Sequence, residues 1–185
     1  MEPVHVIDSE SMGDPSRHLV LADLRERYHR LTGAPTDRGR VVMLIRKVAG
    51  GVRELPESAE LTCVQGVPGD AWGRHDEPDI EAQLAVMQED VASLVANGQP
   101  LPLFGDNLIL DLDLSRQNLP TGSRVRVGNA LLEVTPKPHN GCSKFRARFG
   151  DAALRFVSDP ELRPRNLRGI YLRVVEPGIV RVGDD

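Results

Sequence analysis

Apolar positions alternate between two periods along this chain. Leu21, Leu24, Tyr28 and Leu31 recur at helical spacing behind Asp14-Pro15, an N-cap followed by a proline suited to the first helical turn. Gly33 ends that run, and the spacing predicts one helix ahead of Arg40. Val41 to Val48 is a dense β-branched and aliphatic run, the mark of a buried strand. Gly50-Gly51 turns the chain, and Val52 to Leu55 returns as the hairpin partner. Leu61 to Val64 reads as a third short strand, with Cys63 as core packing among apolar neighbours. Ile80, Leu84, Met87, Val91 and Leu94 step by four and three behind Asp79, which predicts a second helix closed by Asn97-Gly98. Beyond Phe104 the pattern is β: Asn107 to Leu112, then Arg124 to Val127 and Ala130 to Thr135 around the turn Gly128-Asn129. Asp151 to Ser158 suits a short helix, and Gly169 to Val175 with Ile179 to Val182 suits a last hairpin around Pro177-Gly178.

Seven or more short strands, few helices and many Gly/Pro turns point to a mainly β, α+β fold. The expected architecture is a closed or nearly closed β-barrel with two or three flanking helices. Residues 1–39 read as an N-terminal extension with one helix, and residues 40–185 as the barrel domain. The stretch Met1 to Asp14 is polar, suits a frayed terminus and lacks a signal-peptide pattern. No apolar run approaches the length of a membrane span, so no membrane partner is expected and the expected location is cytoplasmic.

Composition narrows the chemistry. Aromatic residues make up only 4% of the chain, too few for base-stacking platforms, and the net charge of −4 argues against nucleic acid. The charge is uneven: from Lys137 to Arg173 nine Lys and Arg face three Asp and Glu. A basic segment in an acidic protein is a candidate site for a small anionic ligand, or a solvated surface. The two cysteines, Cys63 and Cys142, form neither a disulfide framework nor a CxxC metal pair. The loop Gly66 to Asp76 carries Asp70, His75 and Asp76, which read as metal ligands or as solvated polar groups.

The chemistry concentrates in Pro136 to Gly150, which holds Cys142, His139 and the cations Lys137, Lys144, Arg146 and Arg148. A thiolate, not a thiol, attacks electrophiles and binds metals, and cations favour that form. Cys142 is therefore a candidate nucleophile, with a small core residue as the alternative. His139 is the expected polar neighbour of the sulfur, bonding it or shuttling a proton, or else an exposed loop histidine. Arg163, Arg165 and Arg168 form a second basic cluster, suited to a phosphate or to a solubilised strand edge.

With these residues placed, Arg40 to Val182 resembles the MOSC domain, named for the C-terminal domain of molybdenum-cofactor sulfurases. The resemblance is carried by Gly66-Val67-Pro68-Gly69-Asp70, by Gly105-Asp106-Asn107 with Gly122 and Gly128 behind it, and by His139-Asn140-Gly141-Cys142 followed by Lys144-Phe145 and Arg148-Phe149-Gly150. Arg168-Gly169 is similar to the corresponding strand of small stand-alone bacterial members. The resemblance implies a β-barrel and two chemistries. In one, a pyridoxal-phosphate desulfurase loads Cys142 with a persulfide for delivery to a cofactor or molybdoenzyme. In the other, Cys142 ligates the molybdenum of a molybdenum cofactor in an oxidoreductase; such relatives are longer and carry an extra N-terminal β-rich domain. The resemblance also implies catalytic roles for Cys142 and His139. It implies cofactor-binding roles for Lys137, Asn107, Asp70, Lys144, Arg148 and Arg168, with pyridoxal phosphate bound directly or through the desulfurase.

Overall fold

The structure, a computed structural model, describes residues 13–185 and the backbone of residues 5–7. Most of the polar stretch Met1–Asp14 therefore lies outside the described residues. The strands are β1 His5–Ile7, β2 Arg40–Leu44, β3 Arg46–Lys47, β4 Arg53–Leu55, β5 Ser58–Leu61, β6 Leu84–Gln88, β7 Leu108–Asp111, β8 Arg124–Val127, β9 Ala130–Val134, β10 Ile170–Glu176 and β11 Gly178–Arg181. The helices are α1 Leu21–His29, α2 Glu89–Ala96, α3 Ser143–Phe149 and α4 Asp151–Val157. Among the described residues this makes four helices where the pattern suggested two or three.

Six strands form the main sheet in the order β2-β7-β6-β10-β9-β8, antiparallel except for the parallel β6–β7 pair. The sheet curls over an aliphatic core that includes Val41, Leu84, Leu108, Leu132, Leu172 and Val180. It is a half-barrel and does not close. The edge strands β2 and β8 never pair; the last residues of the chain lie between them. Gly183 N–H donates to Val41 O and Val41 N–H to Asp184 O, both at 2.8 Å, and Gly128 N–H donates to Asp185 O at 3.0 Å. A three-stranded sheet β1-β4-β3 and the pair β11-β5 stand beside the main sheet. A second core, with Leu24, Met87, Val95, Phe104, Phe149 and Phe156, joins the helices to the sheet. Within it Phe104 stacks on Phe149 with ring centroids 4.2 Å apart.

Three local expectations are corrected. The predicted helix behind Asp79 begins only at Glu89. Asp79 does cap a turn, accepting from Glu81 N–H at 2.9 Å, but Leu84–Gln88 is a central strand. Leu84, Val86 and Met87 are all fully buried, so both strand faces are apolar and the step from Leu84 to Met87 only imitates a helical stripe. The predicted last hairpin does not form. Both edges of β10 are taken by β6 and β9, so β11 has no free edge there and pairs with β5. Cys63 is exposed rather than core: the chain reverses between Thr62 and Gly66, and this lifts Cys63 into solvent, its Sγ 3.5 Å from Val175 O.

Candidate functional site

The β3–β4 hairpin turns at Gly50-Gly51, where both glycines adopt positive φ. Its register places Arg46 opposite Glu54 and Lys47 opposite Arg53. Directly opposed residues share a face. On one face Arg46 pairs with Glu54 at 2.6 Å. On the other, two like charges stand side by side, an arrangement that destabilises a strand pair unless something else balances it.

That face looks into a cavity of about 340 Å³ lined by Lys47, Arg53, Arg74, Lys144, Arg148 and Arg168, with Cys142 at its wall. Among the described residues six cations and no carboxylate line it. Cys142 is exposed and immediately precedes α3; its carbonyl accepts the Arg146 N–H at 3.0 Å, while its side chain makes no cap hydrogen bond. The sulfur is therefore not engaged by the helix that follows it. Lys144 and Arg148, four residues apart on α3, project to the same cavity. Arg148 also donates to Leu103 O at 2.8 Å.

Arg53 is the anomaly of the site. It is 4% exposed, and neither its Nε nor its Nη1 has an acceptor among the described residues. A Cβ placed on Gly105 would lie 3.5 Å from Arg53 Nη2 and 4.0 Å from Arg148 Nη1, so the two guanidinium groups converge there. Burial, with the charge of Arg148 behind it, pulls the Arg53 pKa down to about 10. Burial also lowers that of Arg148. A buried, half-unbonded guanidinium beside a second one is costly unless an anion meets it.

Two of the residues singled out from the sequence act on this cavity from behind. Asp70, fully buried, accepts the Lys47 N–H at 2.7 Å and the Trp72 N–H at 3.1 Å, and lies 3.4 Å from Lys47 Nζ. Asn107 Oδ1 accepts from Lys47 Nζ and from Ala85 N–H, each at 3.1 Å. Both residues hold Lys47 in place, and neither lines the cavity. Lys137 lies elsewhere, ion-paired with Asp79.

His139 is also elsewhere, which corrects its placement beside the sulfur. It lines two other cavities, with Arg168 in the wall of one and Lys137 in the wall of the other, and not the one at Cys142. Its ring packs on Tyr171 at 4.3 Å and its Nδ1 lies 3.5 Å from Asp106 Oδ1. Asp106 is fully buried and receives Arg168 Nη1 at 2.9 and 3.1 Å. Burial, reinforced by the Arg168 and Lys47 charges, holds the His139 pKa well below its ordinary value. The unfolded chain then binds a proton that the folded chain refuses. Stability is therefore constant above the ordinary histidine pKa of about 6.5 and falls as pH drops below it. By pH 5.5 the expected loss is about 1.4 kcal/mol relative to a His139→Phe variant followed over the same range. Urea unfolding at pH 8, 6.5 and 5.5 measures it, and parallel pH profiles would show that the ring titrates freely.

Lys47, Arg53 and Arg74 were not legible as site residues by motif. The first two were legible by register, because a turn centred on Gly50-Gly51 sets position 47 opposite 53. Arg74 comes from the glycine loop and donates to Lys47 O and Gly69 O at 3.1 and 3.0 Å, tying loop to hairpin. Among the described residues no three His, Cys, Asp or Glu side chains cluster as a metal-binding set, and no helix is long and apolar enough to cross a membrane.

No curated protein matches the chain in sequence. Solved structures share its fold. The YuaD protein from Bacillus subtilis aligns with a TM-score of 0.57 at 18% identity, covering 79% of this chain and 92% of that one. YiiM from Escherichia coli aligns at 0.52 and 22% identity, covering 78% and 67%. YiiM from Geobacillus stearothermophilus aligns at 0.50 and 16%, covering 80% and 73%. A family model described as the MOSC domain matches residues 73–185, a segment that contains Cys142, Lys144, Arg148 and Arg168. The chain belongs to the MOSC domain family.

Proposed function

We propose that the protein binds an anionic, phosphate-bearing cofactor of the molybdenum-cofactor class in the cavity at Cys142. The observation that carries this reading is Arg53: a buried guanidinium with two nitrogens that have no acceptor among the described residues, facing Arg148 and opposite Lys47. A surface kept soluble by charge would not bury such a group. The donor set fits the cofactor. Arg53 and Arg148 present converging N–H groups to a phosphate, while Lys47, Arg74 and Lys144 neutralise the remaining charge. Cys142 offers a soft sulfur donor to the metal, and among the described residues no other His, Cys, Asp or Glu lines the cavity. When bound, the group supplies two-electron redox chemistry at its metal. The chain's own part is to hold the anion, orient it through the α3 cations, and leave one side of the sulfur open to solvent.

The exposure of Cys142 favours a second reading. An open sulfur on a cationic wall can accept sulfane sulfur from a desulfurase, which would itself carry the pyridoxal phosphate, and hand it to a cofactor or a molybdoenzyme. Both readings use the same cations, because a persulfide is also an anion.

Arg53→Met separates ligand binding from folding. Removing a buried cation that has no acid partner among the described residues is expected to leave the melting temperature unchanged or raise it. The same change should lower molybdenum and phosphorus per chain at least about tenfold in protein made by a cofactor-producing host, the loss expected for one charge-assisted contact or more. Elemental analysis and thermal unfolding of the two proteins decide it. An Arg53→Met protein that unfolds early yet keeps its load would make Arg53 a structural residue and remove the main support for the reading.

A further inference from the structure

Arg168 has two sides. One lines the cavity at Cys142; the other lines a separate cavity of about 320 Å³ between Pro136–Asn140, the end of α4 and the segment from Arg163 to Arg168. Arg116 and Arg163 stand exposed at the mouth of this second cavity, and Pro138 and Val157 give it an apolar wall. Among the described residues its one carboxylate, Asp159, is already bonded to Arg25 at 2.6 Å, so the arginines dominate the field inside. Two polar atoms in the lining groups, His139 Nδ1 and Arg168 Nε, are buried with no hydrogen-bond partner among the described residues. Of the basic cluster Arg163, Arg165 and Arg168, the first and last thus line a pocket rather than a strand edge, while Arg165 lines a different cavity.

The imidazole narrows the ligand. His139 Nδ1 faces Asp106 Oδ1 at 3.5 Å, and the ring is fixed by Tyr171. A lone pair pointed at that carboxylate would be repelled, so the ring proton belongs on Nδ1. Nε2 then carries the lone pair, on the ring edge away from Asp106, and it accepts rather than donates. Inorganic phosphate can meet it only through a P–OH of the same group the arginines hold, whereas a hydroxylated ester carries a separate donor. A ligand with both a phosphate and a hydroxyl meets the two exposed arginines and the imidazole Nε2 together.

We propose that this second cavity binds a small hydroxylated phosphate ester, its dianion held by Arg116 and Arg163 and one hydroxyl donating to His139. An apolar face of the ligand rests on Pro138 and Val157. The site is distinct from the one at Cys142, which includes neither His139, Arg116 nor Arg163.

The test is calorimetric titration of the full chain with ribose 5-phosphate, carried out on the Arg53→Met variant so that the first cavity is disabled. One ribose 5-phosphate per chain is expected, bound at least about tenfold more tightly than inorganic phosphate, as one added hydrogen bond to a buried group implies. Arg116→Gln combined with Arg163→Gln should weaken it at least about a hundredfold, as the loss of two charge-assisted contacts implies. Both positions are exposed, so folding should survive, and thermal unfolding checks that. Absence of binding in the Arg53→Met background would overturn the second site while leaving the Cys142 cavity to its own test. Binding that survives the paired arginine changes would overturn it too, and equal affinity for inorganic phosphate would overturn the role given to His139.

Discussion

Cys142→Ser is expected to reduce retained molybdenum or sulfane sulfur at least about a hundredfold, without lowering the melting temperature by more than about a degree. The first half follows from donor chemistry. A hydroxyl stays protonated where a thiol ionises, and it is a hard donor where molybdenum and sulfane sulfur both prefer a soft one. The second half follows from position. Cys142 is exposed, its side chain caps nothing, and surface substitutions of that kind stay within about 0.5 kcal/mol. Cys63→Ser is the control, because Cys63 is equally free and exposed but sits on a turn beside β10, outside the cationic cavity. Elemental analysis gives the metal, and intact mass under non-reducing conditions gives the sulfur adduct. A Cys142→Ser protein that kept its load, or a Cys63→Ser protein that lost it, would sink both readings of the cavity.

Residues 136–150 stand out in the sequence because they concentrate chemistry that a core does not need. It could not show which members of that segment face one another. His139 and Cys142 are three residues apart, yet a proline before the histidine and a glycine before the cysteine let the chain send one inward to Asp106 and leave the other at the surface. Nor could local pattern show α3. Its buried members are Phe145 and Phe149, four apart, and the cations between them hide a stripe that only the second core uses. The misread helix at residues 84–88 has a different cause. A strand buried on both faces has no period of two to betray it, and tertiary pairing with β7 and β10 decides its conformation. By contrast the hairpins at Gly50-Gly51 and Gly128-Asn129 were legible because their turns demand positive φ. The first of them also carried the strongest functional sign in the chain, two cations forced onto one face, which becomes readable once register is written down.

Asp106→Asn should produce the largest loss of stability of any conservative change near these cavities, about 3–5 kcal/mol, or a fall in melting temperature on the order of 10 °C for a chain of this size. Asp106 is fully buried, and burial raises its pKa against the pull of Arg168, its first charge partner. The ionised carboxylate is tolerated because Arg168 Nη1 reaches both of its oxygens. The amide keeps the shape and removes the charge, so the Arg168 charge is left buried and uncompensated, with the Phe104 carbonyl 3.4 Å from its Nη2 and the Phe145 ring centroid 5.2 Å from its guanidinium carbon as remaining supports. The neighbouring His139 also loses the carboxylate that orients it. Replacing both partners, Asp106→Leu with Arg168→Met, should recover most of the stability, because a well-packed apolar pair removes the desolvation cost along with the attraction. It should not recover ligand binding, since Arg168 forms part of the wall of both cavities. Denaturant unfolding of the single and paired variants, set beside elemental analysis and ribose 5-phosphate titration, separates the two outcomes. A single variant within about 1 kcal/mol of the parent would show that the carboxylate is already neutral in the folded protein. A paired variant that binds normally would show that Arg168 is a structural post and not a part of either site.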